Sequence, residues 1–244
     1  MAIALQNSMS SKPSVIVLAG GYSRRMGQDK ALLVYRGQSL LARTIQVASQ
    51  ISDDVLLVTP WPERYQEELP DSVQYVTEQV PSTQTSIESS RSLESTKRRS
   101  AGPLSGFACG WQQVCSDWCL LLACDLPYLE VLPLKRWWHW IQTQTADNWP
   151  DDSRPCEFAQ PAASLVRINN ASKHKHSEDQ MYWQPLCGYY HRSCLVKLEQ
   201  REQKQRSFQR WLSTIPIAQY SDIPPRMLFN CNTPSDWRQV EADS

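Results

Sequence analysis

The residues whose types and spacing could do chemistry fall in two places. The first is V-I-V-L-A-G-G-Y-S-R-R-M-G-Q-D-K-A-L-L, Val15 to Leu33. Val15 to Leu18 is a short, mostly β-branched run that reads as a buried strand, and Ala19, Gly20 and Gly21 remove side-chain bulk where it ends. Backbone there can approach a ligand closely. Three cations, Arg24, Arg25 and Lys30, follow within ten residues. Bare N–H donors and positive charge converging on one spot are what a polyphosphate needs, so the stretch reads as a cradle for a nucleoside triphosphate. No Lys-Ser/Thr pair closes it as in a Walker A loop, and its glycines miss the G-x-G-x-x-G dinucleotide spacing.

The second place is Cys124-Asp125-Leu126-Pro127, directly after the uninterrupted apolar run Trp118 to Ala123. Such a run is expected of a central parallel strand covered on both faces. Ligands of open α/β sheets collect beyond the carboxyl ends of the strands, so Asp125 is expected beside Gly20. A carboxylate there has two uses: it can hold Mg²⁺ against the phosphates, or it can cap a helix begun by Leu126-Pro127.

The rest of the chain must position these groups. Ser39 suits the N-cap of a helix with Leu41, Ile45 and Ala48 on one face, and Val55 to Val58 and Val73 to Thr77 read as strands. Glu63 to Glu68 between them reads as a short exposed helix. Gly102-Pro103 opens a helix with an apolar stripe at Leu104, Phe107, Ala108, Trp111 and Cys115. Leu134, Trp137, Trp138 and Ile141 form the buried face of another, and His139 beside them carries no chemistry in this reading. Ala162 to Ile168 and Gln184 to Tyr190 are expected to pair as strands. Helices around Cys194 to Leu198 and Phe208 to Leu212 follow, then a strand near Ile217. Thr233-Pro234-Ser235-Asp236 caps a closing helix, and Asn232 before it is either a turn residue or a group reaching a metal or phosphate. The alternation predicts an α/β fold, a Rossmann-like, mostly parallel sheet with helices on both faces.

Residues 1–13 are expected as a disordered tail and 14–241 as a single domain. The Ser-rich, apolar-poor stretch near 81–101 and the long polar region near 148–182 read as mobile insertions. Twenty-five basic residues balance twenty-five acidic ones among 244, which gives no reason to expect a nucleic-acid or membrane-surface partner. No stretch approaches the length of a membrane span and the N-terminus lacks a secretory pattern, so a cytoplasmic protein is expected. The eight cysteines contain no C-x-x-C pair and read as reduced, mostly buried residues. The K-H-K-H run from Lys173 to His176 has no partner at a zinc-motif spacing.

Leu18 to Leu33, L-A-G-G-x-S-x-R-M-G-x-D-K-A-L-L, resembles the signature of the molybdenum cofactor guanylyltransferases. They belong to the wider group of nucleotidyltransferases with L-A-[AG]-G-x-[SG]-x-R-M. Three further pieces match in order: G-P-L-S-G at Gly102, C-D-L-P at Cys124 and N-x-N-T-P at Asn230. Together they frame Val15 to about Trp237. The resemblance implies a nucleotidyltransferase-type domain. It would transfer GMP from GTP to the molybdopterin form of molybdenum cofactor, releasing pyrophosphate, with Mg²⁺ as cofactor. A molybdoenzyme or another cofactor-biosynthesis protein would be a transient partner.

It further implies that Leu18, Ala19, Gly20 and Gly21 bind the nucleotide and that Lys30 binds its phosphates. Arg25 would sit at the reacting centre and Asp125 would hold Mg²⁺, so that Arg25, Lys30 and Asp125 carry catalysis. Two positions depart from the pattern: Thr59 stands where an Asn is often found, and Glu78 where an Asp commonly reads guanine. Glu78 can still accept hydrogen bonds from guanine N1–H and the 2-amino group. The rival readings are a cytidylyltransferase acting on the same cofactor, a sugar-phosphate nucleotidyltransferase, and a non-catalytic cofactor-delivery protein. Gly20 and Asp29 favour the guanylyl reading, since the rival enzymes typically carry L-A-A-G and the sugar enzymes often place a Pro before the motif Lys.

Overall fold

The computed structural model describes residues 12–20, 27–78, 102–144, 161–169, 181–200 and 207–243. Its first half runs β1 (Ser14–Leu18), β2 (Val34–Tyr35), β3 (Gln38–Ser39), α1 (Leu40–Ile51), β4 (Val55–Thr59), β5 (Gln74–Thr77), α2 (Pro103–Trp111), β6 (Trp118–Ala123) and α3 (Val131–Thr143). Then come β7 (Ala163–Leu165), β8 (Arg167–Asn169), β9 (Met181–Trp183), β10 (Cys187–His191), α4 (Leu195–Glu199), α5 (Phe208–Leu212), β11 (Ile217–Gln219) and α6 (Pro234–Ala242). The expected insertion at 81–101 lies outside the described residues. So do 1–11, Gly21, Arg24, Arg25 and the K-H-K-H run. Within 148–182, residues 163–165 and 167–169 are strands, so that region is not one continuous insertion.

Seven strands form one sheet in the order β11-β7-β10-β6-β1-β4-β5. β6, β1, β4 and β5 are mutually parallel, with α1 crossing from β1 to β4 and α2 from β5 to β6. β10 is reversed against both β6 and β7. Trp118 to Ala123 is therefore central as expected, yet parallel to its neighbour on one side only. Side chains alternate across the sheet. Val15, Val17, Leu57, Leu120 and Leu122 pack with α1 and α3, while Ile16, Leu56, Val58 and Leu121 pack with α2, α4 and α5.

Local chemistry explains the ends of the elements. Ser39 accepts a hydrogen bond from Ala42 N and starts α1, and Thr233 and Asp236 form a capping box on α6. Pro103 sits in the first turn of α2, and Gly102 before it adopts φ of 101°, open to glycine and strained for other residues. The segment Glu63 to Glu68 is not a helix. A single 3₁₀ turn, Pro62–Arg64, passes into turns that bury Tyr65 and Leu69, because these two side chains supply the contact that a fully exposed helix would lack. No helix among the described residues is long and apolar enough to cross a membrane.

Candidate active site

The carboxyl ends of β1, β4, β5 and β6 form one rim, and the backbone ladder carries one residue past β1, β5 and β6. Ala19 N donates to Val58 O at 3.0 Å, Glu78 N to Thr59 O at 3.1 Å, and Cys124 N to Leu18 O at 3.3 Å. Ala19 and Glu78, both expected to meet the ligand, are thus fixed by sheet pairing, as is Cys124 next to Asp125. Above this rim lies a cavity of about 260 Å³ whose walls include Leu18, Ala19, Gly20, Asp29, Lys30, Glu78 and Asp125. Gly102 and Pro103 complete it, placing the positive end of the α2 dipole at the wall. Six of the seven expected nucleotide-binding positions are brought together here. The seventh, Gly21, lies outside the described residues, as does the expected catalytic Arg25.

Lys30 is held in the wall of the cavity. After Gly27, which turns the chain with φ of 70°, Asp29 caps a one-turn 3₁₀ helix, Lys30–Leu32, by accepting from Ala31 N. The Lys30 ammonium then donates to Asp125 Oδ2 at 3.1 Å and to Asn232 Oδ1 at 2.9 Å. Asn232 is therefore more than a turn residue. It arrives through a backbone bond from Cys231 N to Asp125 O at 2.9 Å, which docks the segment before α6 against β6. Of the two uses open to Asp125, helix capping does not hold, since the next helix begins at Val131 with Glu130 at its N-cap.

The other oxygen, Asp125 Oδ1, is buried and makes no hydrogen bond. A buried carboxylate oxygen without a donor is costly, and a cation is one way to satisfy it. Among the described residues no group of three or more His, Cys, Asp or Glu could hold a metal by itself. Mg²⁺ does not need one, because it commonly takes one or two carboxylates and completes its shell with phosphate oxygens and water. The donor set at Asp125 fits that ion. Beside it, burial of the Cys124 thiol, reinforced by the Asp125 charge, pushes its pKa up to about 12, so the thiol stays neutral and takes no nucleophilic part.

Sequence reasoning did not find Tyr65, whose hydroxyl donates to Asp29 at 2.8 Å, or Leu186, which closes the cavity beside Ala123. Nothing near Tyr65 in the chain marks it, and Leu186 reaches the rim only because β10 runs backwards.

Residues 15–219 match the MobA-like NTP transferase domain. The chain is 37% identical over 231 residues to a Nostoc sp. protein named "Probable molybdenum cofactor guanylyltransferase", covering 94% of this chain and 91% of that one. A protein of the same name from Synechococcus elongatus is 34% identical over 229 residues, covering 93% and 97%. Among solved structures, the molybdopterin-guanine dinucleotide biosynthesis protein A of Archaeoglobus fulgidus superposes with a TM-score of 0.64 at 19% identity, over 94% of this chain and 97% of that one. The matched domain spans most of the chain and both named relatives exceed 30% identity over more than nine-tenths of it, so the chain belongs to the MobA-like NTP transferase family.

Proposed function

We propose that this nucleotidyltransferase moves GMP from GTP to the molybdopterin form of molybdenum cofactor, releasing pyrophosphate and forming the guanine dinucleotide cofactor. The observation that carries the reading is the Lys30–Asp125–Asn232 constellation beside Gly20, with one buried carboxylate oxygen left over. A phosphate oxygen of the acceptor attacks the α-phosphorus of GTP in line. The new P–O bond forms as the bond to the β-phosphate bridging oxygen breaks, and that oxygen leaves with pyrophosphate. No covalent enzyme intermediate is involved.

This chain's residues position and neutralise. Backbone at Leu18, Ala19 and Gly20 accommodates the nucleotide without side-chain obstruction, and Lys30 grips the phosphates. Glu78, buried in the wall of the same cavity, accepts from guanine N1–H and the 2-amino group, a pair of donors that cytosine and uracil do not present together. Arg25 is assigned to the phosphates by its place in the motif. Asp125 would hold Mg²⁺, which when bound neutralises charge on the phosphates. In this reading the reaction runs in the cytoplasm, a compartment that keeps thiols such as Cys109, Cys115 and Cys187 reduced, and the product would pass to a molybdoenzyme or another cofactor-biosynthesis protein.

The test is pyrophosphate release by the full chain with GTP, MgCl₂ and molybdopterin cofactor, with the dinucleotide product identified by mass. Turnover with GTP at least tenfold above that with CTP or UTP is expected. Preference for CTP or UTP, or nucleotide binding without product, would overturn the reading.

A further inference from the structure

The one-turn helix that carries Lys30 is too short to hold itself, because fixing a first turn costs more backbone freedom than its hydrogen bonds return. Its anchor is Asp29. One carboxylate oxygen accepts from Ala31 N at 3.1 Å, and the other accepts from the Tyr65 hydroxyl at 2.8 Å. Arg64, stacked over the Trp61 ring at 4.3 Å, brings a guanidinium nitrogen to 3.7 Å from that second oxygen.

Tyr65 is itself fixed. Its side chain is 1% exposed, and its carbonyl accepts from the Tyr75 hydroxyl at 3.2 Å, which ties it to β5. Asp29 lines the cavity, and a carboxylate on the wall of a polyphosphate site repels its ligand unless something holds its charge aside. Donors from the segment after β4 do so. Burial, with Asp29 adding to it, raises the Tyr65 phenol above its usual range, so the hydroxyl remains a donor throughout the working pH range.

Resting on the nucleotide-binding reading above, we infer that Tyr65 is a positioning residue for Lys30. Its hydroxyl locks Asp29, Asp29 locks the turn, and the turn sets where the ammonium meets the phosphates. Tyr65 is not part of the cavity lining. The effect of removing its hydroxyl must therefore pass through Lys30 and vanish when Lys30 is gone.

The experiment is a double-mutant cycle on the full chain, wild type, Tyr65→Phe, Lys30→Met and the pair, titrated calorimetrically with GTP and separately with CTP in the presence of MgCl₂. Tyr65→Phe keeps the buried ring and removes only the donor. It is expected to weaken GTP binding about tenfold in the wild-type background and less than twofold in the Lys30→Met background. Its effect on the melting temperature should be the same in both. An unchanged affinity in Tyr65→Phe, or an equal loss in both backgrounds, overturns the inference.

If wild type binds CTP in place of GTP, the guanine reading fails, and the cycle read on CTP still decides the role of Tyr65. If it binds neither, both fall. Should Tyr65→Phe not fold, Asp29→Asn replaces it in the same cycle. The relief of repulsion by its lost charge is common to both backgrounds, so an effect on GTP affinity about tenfold more unfavourable in wild type than in Lys30→Met supports the inference, and an equal effect in both overturns it.

Discussion

At the scale of single residues, Asp125 carries the heaviest demand, because one of its oxygens holds Lys30 while the other has no protein donor. Asp125→Asn keeps the shape and removes the charge. Turnover is expected to fall on the order of a hundredfold, as when a preorganised electrostatic group is lost, and raising MgCl₂ should not restore it. Pyrophosphate release across a magnesium titration checks this, and near wild-type turnover would mean that Asp125 holds no metal. Glu78→Gln has a different signature. The amide presents one acceptor and one donor where guanine offers two donors, so preference for GTP over CTP should shrink by about ten- to a hundredfold, with turnover on GTP falling less. Competition between the two nucleotides measures that ratio. Lys30, Asp125 and Gly20 could be read from the chain because polyphosphate chemistry demands a carboxylate and bare backbone just past strand ends and a cation in the loop that follows. Tyr65 could not, since a tyrosine 36 residues from Asp29 becomes its partner only after β4 and the turns behind it have folded.

At the scale of elements, α2 must lie close to the sheet for its N-terminus to reach the cavity. A Cβ at Gly110 would stand 2.7 Å from Val58 Cγ2 and 3.1 Å from Ile16 Cδ1, whereas one at Gly106 would meet Leu18 Cδ2 at 3.4 Å. Gly110→Ala should therefore push the helix outward and cost about 1–3 kcal/mol, while Gly106→Ala should be nearly neutral. For a chain of this size that predicts a melting temperature lower by roughly 2–12 °C for the first. GTP affinity should fall with it, because Gly102 and Pro103 move with the helix. Equal melting temperatures for the two variants would show that α2 has room to spare. The same elements mark where sequence reading works. β1, β4 and β6 are five or six residues long with unbroken apolar runs, and their parallel pairing follows from the helices between them. The expected pairing of Ala162 to Ile168 with Gln184 to Tyr190 is seen as β7 against β10, but the reversed docking of β10 on β6 and the place of three-residue β11 come from long-range pairing that no local pattern encodes.

At the scale of the whole molecule, the cysteines link packing to pH. Burial pushes the thiols of Cys124 and Cys187 from 9.0 to about 12, and raises Cys119 and Cys194 as well. Below pH 9 a thiol is neutral in both folded and unfolded chains, and its full contribution to stability is present. Above pH 9 the unfolded chain releases protons that the folded chain retains, so stability is lost as pH rises towards 12. The limiting slope is about 1.4 kcal/mol per pH unit for each thiol. Tyr189 and Tyr190, raised by burial from 10.0, act in the same direction but begin a unit higher. The window between pH 9 and 10 therefore belongs mainly to the cysteines. Urea unfolding midpoints are expected to hold steady from pH 7 to 8.5 and then decline, with a shallower decline in Cys187→Ala, whose residue lies fully buried at the start of β10. An unchanged slope in that variant would mean that its sulfur reaches water in the folded state. The same burial keeps Cys187 from alkylating reagents at neutral pH while exposed Cys115 reacts, so labelling followed by mass analysis reads the packing of β10 against β6 independently of any substrate.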